Sequence, residues 1–171
     1  MLRNFYILSL GILCACTPAE EKAKPIEWST EHSTQMNKDF AFEEDLRIKM
    51  YLEDRPSWKT KKTGSGLRYF IYQEGKGAQA ESDMTAEVKY NIQLLNGTIC
   101  YQTEAEETES FKIDKSDVES GVNEGIKKMK IGDKAKLIVP SHLAHGLVGD
   151  YDKIPPLQAL IIDIELISLK K

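Results

Sequence analysis

Residues 138–166 read IVPSHLAHGLVGDYDKIPPLQALIIDIEL, and this stretch holds two strand patterns joined by a loop. The first is the end of the segment 135–139, which Pro140 closes because proline cannot donate to a strand ladder. In the second, apolar side chains at the even positions from 160 to 166 alternate with Asp163 and Glu165. This period of two predicts a strand with one buried face and one face in water.

The elements upstream of this stretch complete a mixed pattern. Val122, Ile126 and Met129 recur at i, i+4 and i+7, which predicts a short one-faced helix over 121–129. Further strand patterns lie at 67–72, 88–94 and 111–113, and Asn96-Gly97 is a strong hairpin signal after the second of them. One helix among several antiparallel strands predicts an α+β fold.

The amino terminus has the features of a signal peptide. Residues 5–15, FYILSLGILCA, carry no charge, yet the run is shorter than the ~20 residues that a membrane span requires. Leu13-Cys14-Ala15-Cys16 resembles the lipobox of bacterial lipoproteins, which predicts cleavage after residue 15 and acyl chains on Cys16. An ordinary secretory signal and a frayed apolar start are the alternatives. The lipoprotein interpretation places the chain in a bacterial cell envelope, at the outer membrane and on its periplasmic side.

A linker and a helix are predicted between this anchor and the main domain. Residues 16–36 are polar and unpatterned, which is typical of a flexible tether. A helix is predicted over 37–56, with Asn37 as its cap and Pro56 ending it. Its apolar positions recur at roughly helical spacing, so we expect it to dock on the main domain, although a partner-binding helix is the alternative. Those positions are Phe40, Phe42, Leu46, Met50 and Tyr51. The domain itself is predicted to span 64–171.

Net charge and the placing of histidine and cysteine exclude several classes of function. The chain has 23 Lys+Arg against 27 Asp+Glu, a net charge of −4, which argues against nucleic acid as a partner. His142 and His145 form an H-x-x-H pair with no third ligand nearby, so we predict no metal and no cofactor. Cys100 has no basic neighbour in sequence to activate its thiol, which favours a buried apolar role. The residues give no support to hydrolytic, redox or metal chemistry.

From residue 64 to residue 169 the chain resembles the FKBP family of peptidyl-prolyl cis/trans isomerases. The matching stretches occur in the family's order and spacing: Val88-Lys89-Tyr90, Asn96-Gly97-Thr98, Gly121-Val122, Gly125-Ile126, Gly132-Asp133, Ile138-Val139-Pro140-Ser141, Ala144-His145-Gly146, Ile154-Pro155-Pro156 and Ile162-Asp163-Ile164-Glu165-Leu166. This resemblance implies a curved antiparallel sheet wrapped around one short α-helix. The amino-terminal arm, with Lys24-Pro25 and Glu43-Glu44, also resembles the gliding-motility-associated lipoproteins of the family.

The resemblance also implies a prolyl-binding pocket. Tyr90 and Phe111 would form its walls, Val122 and Ile162 its floor, and Ile154 its rim. Backbone N–H groups of Glu119 and Ile154 would donate to substrate carbonyls. The residues carried over as catalytic are Tyr90, Phe111, His145 and Ile154, and those carried over as substrate-binding are Cys100, Tyr101, Val118, Glu119, Val122 and Ile162.

The sequence departs from the family pattern at several of these positions. The family's Phe-Asp pair after the hairpin is Cys100-Tyr101 here, so we expect the pocket to lack its carboxylate. Val122 and Ile162 stand where the family has aromatic residues, and His145 stands in place of a tyrosine. We therefore expect weak isomerase activity on short peptides and weakened macrolide binding.

Two functions from different classes are consistent with these features. The first is a membrane-anchored isomerase that assists the folding of proline-containing exported polypeptides. The second is a non-catalytic FKBP-like module that binds a partner in an envelope or motility complex. A scaffold without a ligand is a weaker third alternative.

Overall fold

The computed structural model describes residues 29–171, and they form one antiparallel sheet with a helix on each of its two faces. The α-helices are α1, Thr30–Glu53, and α2, Ser120–Ile126, and a 3-10 turn spans Ser141–Leu143. The strands are β1, Lys61–Lys62; β2, Arg68–Gln73; β3, Thr85–Leu94; β4, Ile99–Gln102; β5, Glu109–Lys112; β6, Lys134–Val139; and β7, Leu160–Lys170. The predicted α+β fold is confirmed. The predicted signal peptide, with Cys16 and most of the tether, lies outside the described residues.

The sheet is built around its last strand. The order is β1-β2-β6-β7-β3-β4, and β5 pairs with the first half of β3 while β4 pairs with the second half. Strand β7 lies between β6 and β3 and pairs with both along most of its length. Asn96-Gly97 joins β3 to β4 as predicted, and Gly97 adopts φ 88°, a left-handed conformation that glycine tolerates.

The main core lies between one face of the sheet and α2. Val122 and Ile126 of α2 pack there with Leu137 of β6 and Ile162 of β7, and all four are buried. The helix approaches the sheet closely, because a Cβ atom added at Gly125 would lie 2.5 Å from the Leu137 side chain. Glycine at this position therefore lets α2 pack close to the sheet, and a pocket opens beside the helix.

The opposite face of the sheet is covered in part by α1. Ile48 packs on Ile138 and Ile161, and all three are completely buried. The prediction that this face of β7 is in water is therefore wrong at Ile161, and it holds at Asp163 and Glu165, which are partly exposed and pair with Lys136 and Lys134. The docking of α1 explains why an isoleucine stands at the otherwise polar side of the strand.

Two predictions about α1 are corrected. The helix begins at Thr30, capped by Ser29, and not at Asn37, so its first two turns occupy part of the predicted tether. Its buried face is formed by Glu44 and Ile48, whereas Phe42, Leu46 and Met50 are exposed. Of the five predicted apolar positions, these three are therefore on the outer face, whereas Phe40 is half-buried and Tyr51 packs against the Ile48 cluster, so the predicted docking of the helix is confirmed. Among residues 29–171, no helix has both the length and the apolar character that crossing a membrane requires.

Candidate functional site

A cavity of about 510 Å³ opens between β3, β5, the start of α2 and the loop that follows β6. We call this cavity the pocket. The side chains that line it are Val88, Tyr90, Ile92, Tyr101, Glu109, Ser110, Phe111, Ser116, Asp117, Val118, Glu119, Val122, His145, Asp150, Ile162 and Ile164.

The floor of the pocket is aliphatic. Val122 faces it from α2, and Ile162 and Ile164 face it from β7. The two β7 residues share a face because strand side chains alternate, so the pattern that builds the core also builds the floor. A dry floor of this kind accommodates an apolar ring without offering it a hydrogen bond.

The walls are the two aromatic residues that the sequence suggested. Phe111 comes from β5 and Tyr90 from β3, and both line the pocket. The Tyr90 hydroxyl donates to Glu109 Oε1 at 2.7 Å. Burial, together with this bond and the charge of Glu109, raises the pKa of Tyr90, so the phenol stays protonated.

A contact between an imidazole and a carboxylate links the loop to the start of α2 at the mouth of the pocket. His145 Nε2 lies 3.0 Å from Glu119 Oε1. Glu119 is also the residue that caps α2, and its carbonyl accepts the N–H groups of Val122 and Asn123. The His145 imidazole, which the resemblance implied to be catalytic, therefore contacts Glu119 of the protein itself.

The pocket retains a carboxylate, contrary to the expectation from Cys100-Tyr101. Asp150, from the loop, lines the pocket and accepts the Tyr101 hydroxyl on Oδ2 at 2.5 Å. Its Oδ1 accepts the N–H groups of Asp152 and Ile154. Partial burial opposes ionisation, but these hydrogen bonds outweigh it and lower the pKa of Asp150 to about 2. The tyrosine that replaced the family's acidic residue thus positions another carboxylate from the loop.

The two backbone donors expected for substrate differ in availability. The Ile154 N–H donates to Asp150 Oδ1 at 2.8 Å, and the Ile154 side chain is buried. The expectation that Ile154 offers its N–H at an open rim is therefore wrong in this conformation. The Glu119 N–H makes no hydrogen bond to any other residue in the range 29–171 and remains available.

Cys100 also lies behind the pocket. Its side chain is buried in the core, with Sγ at 3.6 Å from the Lys153 carbonyl and 3.8 Å from the Thr98 carbonyl. Burial, with the charge of Asp150, raises the pKa of the thiol. Cys100 and Ile154 are thus the two predicted pocket residues that the structure does not bring to the cavity surface.

The other predicted residues do converge on the pocket. These are Tyr90, Tyr101, Phe111, Val118, Glu119, Val122, His145 and Ile162. The acidic lining residues Glu109, Asp117 and Asp150 were missed. Glu109 could have been found, because it stands two residues before Phe111 in a strand and therefore shares its face. Asp150 lies in an irregular loop, where residue spacing carries no such signal.

His142 and His145, the H-x-x-H pair of the sequence, contact different partners and do not form a metal site together. His142 Nε2 contacts the Ser65 carbonyl oxygen at 2.9 Å, whereas His145 contacts Glu119. No group of three His, Cys, Asp or Glu side chains with the spacing for a metal ion occurs in the described part of the chain.

Comparison with known proteins agrees with this architecture. The family model described as FKBP-type peptidyl-prolyl cis-trans isomerase matches residues 76–167. The FKBP-type isomerase FkpA of Escherichia coli strain K12 is 34% identical over 155 residues, which cover 88% of this chain and 56% of the relative. FkpA of Buchnera aphidicola from Acyrthosiphon pisum is 31% identical over 148 residues, covering 85% of this chain and 61% of the relative. The chain thus spans less than two thirds of the length of either relative.

Solved structures give the same assignment. The crystal structure of Escherichia coli FkpA superposes with a TM-score of 0.66 at 33% identity, over 81% of this chain and 64% of that one. A peptidyl-prolyl cis-trans isomerase from Pseudomonas syringae superposes with a TM-score of 0.62 at 26% identity, over 85% and 98% of the two chains. The matched family model covers more than half of the sequence and includes most of the sheet, α2 and every residue that lines the pocket. The chain belongs to the FKBP-type peptidyl-prolyl cis-trans isomerase family.

Proposed function

We propose that this protein is a peptidyl-prolyl cis/trans isomerase whose substrates are proline-containing exported polypeptides. The observation that carries the proposal is the pocket, with its aliphatic floor beneath Tyr90 and Phe111 and a backbone donor at Glu119 that has no partner among residues 29–171. A proline ring fits such a floor, and the N–H group can bind a carbonyl next to it.

This pocket needs no covalent step or proton transfer to act. Rotation about a prolyl bond meets a barrier of ~18–20 kcal/mol because the planar amide loses its resonance. The twisted amide has less charge separation than the planar one, so a dry pocket favours it relative to water. Val122 and Ile162 provide that environment, and the Glu119 N–H fixes the neighbouring carbonyl.

We expect the activity on short peptides to be weak. The floor lacks aromatic rings, since Val122 and Ile162 occupy the positions where the resembling family has them. His145 and the Ile154 N–H are engaged by Glu119 and Asp150, so a peptide must displace these partners or do without both groups. The same features predict weakened macrolide binding.

A second candidate function is a non-catalytic binding module in an envelope complex. The observation that favours it is the same internal engagement of His145 and Ile154, because a pocket that holds peptides without rotating them needs neither group. Under this proposal the protein captures proline-containing segments, and prolyl turnover is absent.

Location is proposed from the sequence. The lipobox residues Leu13-Cys14-Ala15-Cys16 support an anchor on Cys16, which would hold the domain at the outer membrane on its periplasmic side. Several acyl chains are needed for stable anchoring, as one chain alone binds marginally. The resemblance of the amino-terminal arm, with Lys24-Pro25 and Glu43-Glu44, to the gliding-motility-associated lipoproteins supports a place in gliding-motility machinery. Incorporation of labelled palmitate into the full chain, and its loss in Cys16→Ala, tests the anchor; labelling of Cys16→Ala would overturn it.

The activity is tested on a protein whose refolding is limited by proline isomerisation. We expect the full chain to accelerate the slow refolding phase, and an added macrolide that occupies the pocket to reduce the acceleration. A tetrapeptide assay run in parallel is expected to give a lower rate than an ordinary member of the family gives. No acceleration, combined with measurable binding of the unfolded protein, would replace the isomerase proposal with the binding module.

A further inference from the structure

The pocket has an aliphatic floor and a lining that is otherwise rich in acidic side chains. Four carboxylates line it: Glu109 from β5, Asp117 and Glu119 before α2, and Asp150 from the loop. Of the residues in the range 29–171, no Lys or Arg lines it, and His145 is its single basic side chain.

None of these carboxylates contacts Lys or Arg within residues 29–171; their partners are hydroxyl and backbone donors, one imidazole, or, for Asp117, none. Glu109 accepts from the Tyr90 hydroxyl, and Asp150 accepts from the Tyr101 hydroxyl and two backbone N–H groups. Glu119 contacts the His145 imidazole. Asp117 is exposed and has no ion-pair or hydrogen-bond partner within the described residues.

Lys153, which lies beside Tyr101, does not neutralise this rim. Lys153 Nζ lies 4.7 Å from the centre of the Tyr101 ring and forms no salt bridge with the four carboxylates. Elsewhere on the domain acidic side chains pair with lysine, as Glu165 does with Lys134 and Asp114 with Lys127. In contrast to these two acids, none of the four pocket carboxylates contacts a Lys or Arg side chain in the part of the chain that the structure describes.

We infer that the pocket prefers prolyl peptides that carry Lys or Arg directly before or after the proline. This inference rests on the proposed function, in which the apolar floor holds the proline ring. A flanking cation would then reach the acidic rim while its alkyl stem lies along the pocket wall. Binding of this peptide cation would not require a salt bridge between the four carboxylates and a Lys or Arg of the described residues to break.

Elementary electrostatics sets the size of the preference. One charge pair at about 4 Å in water changes affinity roughly fivefold, and several carboxylates act on the same cation. Because the rim is open to solvent, salt weakens the effect, with a screening length of ~8 Å at physiological ionic strength. We therefore expect a Lys-Pro peptide to bind about tenfold more tightly than its Glu-Pro counterpart at low salt.

The test compares peptides that differ only at the residue before proline, as Lys, Leu or Glu, and a second set varied after it. Dissociation constants come from fluorescence titration of the full chain, and kcat/KM comes from the cis/trans exchange rate. We expect the order Lys, Leu, Glu in at least one set, with a gap that shrinks at high salt. Equal affinities at low salt, or a gap that salt leaves unchanged, would overturn the inference.

Two variants connect the preference to the rim. Asp117→Asn removes the partnerless carboxylate and is expected to reduce the ratio of Lys-Pro to Glu-Pro affinity about twofold to threefold, and Asp117→Lys to reduce it further. Glu53→Gln makes the same change of charge at the exposed end of α1, away from the lining residues, and is expected to leave the ratio unchanged. An equal effect of the two neutralisations would show that net charge alone acts.

The outcomes separate this inference from the proposed function. Preferential binding of Lys-Pro peptides without turnover of any peptide would overturn the isomerase proposal and support the inference. Turnover without preference would support the enzyme and overturn the inference. Failure of every peptide to bind would overturn both.

Discussion

Glu44 of α1 accepts both the backbone N–H and the hydroxyl of Ser141, at N···O distances of 3.0 and 3.1 Å for the N–H and 3.0 Å for the hydroxyl. Ser141 begins the 3-10 turn that leads into the loop bearing His145 and Asp150. A carboxylate from outside the FKBP-type sheet thus fixes the start of the loop that forms one side of the pocket. Glu44 is only 3% exposed, so the contact is shielded from water.

Removal of this carboxylate is expected to destabilise the protein. Glu44→Ala leaves the buried Ser141 N–H without a partner, which costs about 1–3 kcal/mol of unfolding free energy. Glu44→Gln keeps one acceptor oxygen and should cost less. Urea unfolding measures both, with Glu43→Ala as the control because the Glu43 side chain is 66% exposed. A loss in Glu43→Ala as large as that in Glu44→Ala would contradict the assignment.

The neighbouring Asp45 is expected to be more sensitive still. It contacts Lys62 Nζ at 2.7 Å and Arg68 Nη2 at 2.6 Å, and these bonds lower its pKa well below the usual range despite some burial. The Arg68 side chain is 5% exposed, so Asp45→Asn leaves a buried charge without compensation. The unfolding free energy should fall by about 3 kcal/mol or more.

Two further variants make this prediction specific. Arg68→Met removes the buried charge itself and should cost less than Asp45→Asn, because an apolar side chain of similar length needs no partner. Asp39→Asn, on the same helix, controls for the loss of one acidic residue. If Asp45→Asn unfolds at the denaturant concentration of the unaltered protein, the ion pair contributes nothing measurable.

The Asp150 carboxyl should titrate near 2, and its pKa should depend on Tyr101. Tyr101→Phe removes a donor, so the pKa of Asp150 is expected to rise towards its ordinary value, as a carbon NMR titration would show. Tyr72→Phe, which removes a hydroxyl bonded to Asp163 and not to Asp150, is the matched control. An unchanged Asp150 pKa in Tyr101→Phe would contradict the role given to the phenol.

The sign of the stability change follows from this lowered pKa. A depressed folded-state pKa gives a stabilising contribution that is complete above the unfolded value of ~3.9 and is lost as the pH falls towards 2. The unaltered protein should therefore lose more stability between about pH 4.5 and 2 than Asp150→Asn does. Parallel curves for the two proteins would exclude this linkage.

Phe111 is expected to matter for turnover more than for folding. A buried phenylalanine contributes about 1.5–3 kcal/mol, and loss of part of this contact in the twisted state should lower kcat/KM roughly tenfold in Phe111→Ala. Tyr90→Ala should act in the same direction. Phe70→Ala removes a half-buried ring from β2 that does not line the pocket, and should leave kcat/KM unchanged. Comparable losses in Phe70→Ala would point to general destabilisation.

The sequence was most informative where side chains repeat with a period. The alternation in β3 and β7 predicted both strands and their buried faces, and Asn96-Gly97 predicted the hairpin. It was misleading for α1, because the helix is anchored by Glu44 and Asp45, and its apolar stripe of Phe42, Leu46 and Met50 faces outward. Buried charge has no periodic signature, so the docking face could be found only from the three-dimensional contacts.

The same limit applied to the pocket. Its walls and floor lie on regular elements, and those residues line the cavity. The acid that replaces the family's carboxylate comes from a loop, Asp150, and reaches the site through a tyrosine. The sequence at position 101 alone shows the loss of a carboxylate. It does not show that Asp150, about 50 residues later, brings another carboxylate to the same pocket.

Cys100 is buried against the Lys153 carbonyl, and within residues 29–171 it is the single cysteine. A thiol reagent can therefore reach it only when the structure around it opens, for example when the segment around residue 153 moves away from β4. The rate at which the Cys100 thiol is modified would therefore report how often these openings occur, without an introduced label. If a bound peptide slows the modification, occupancy of the pocket makes these openings less frequent.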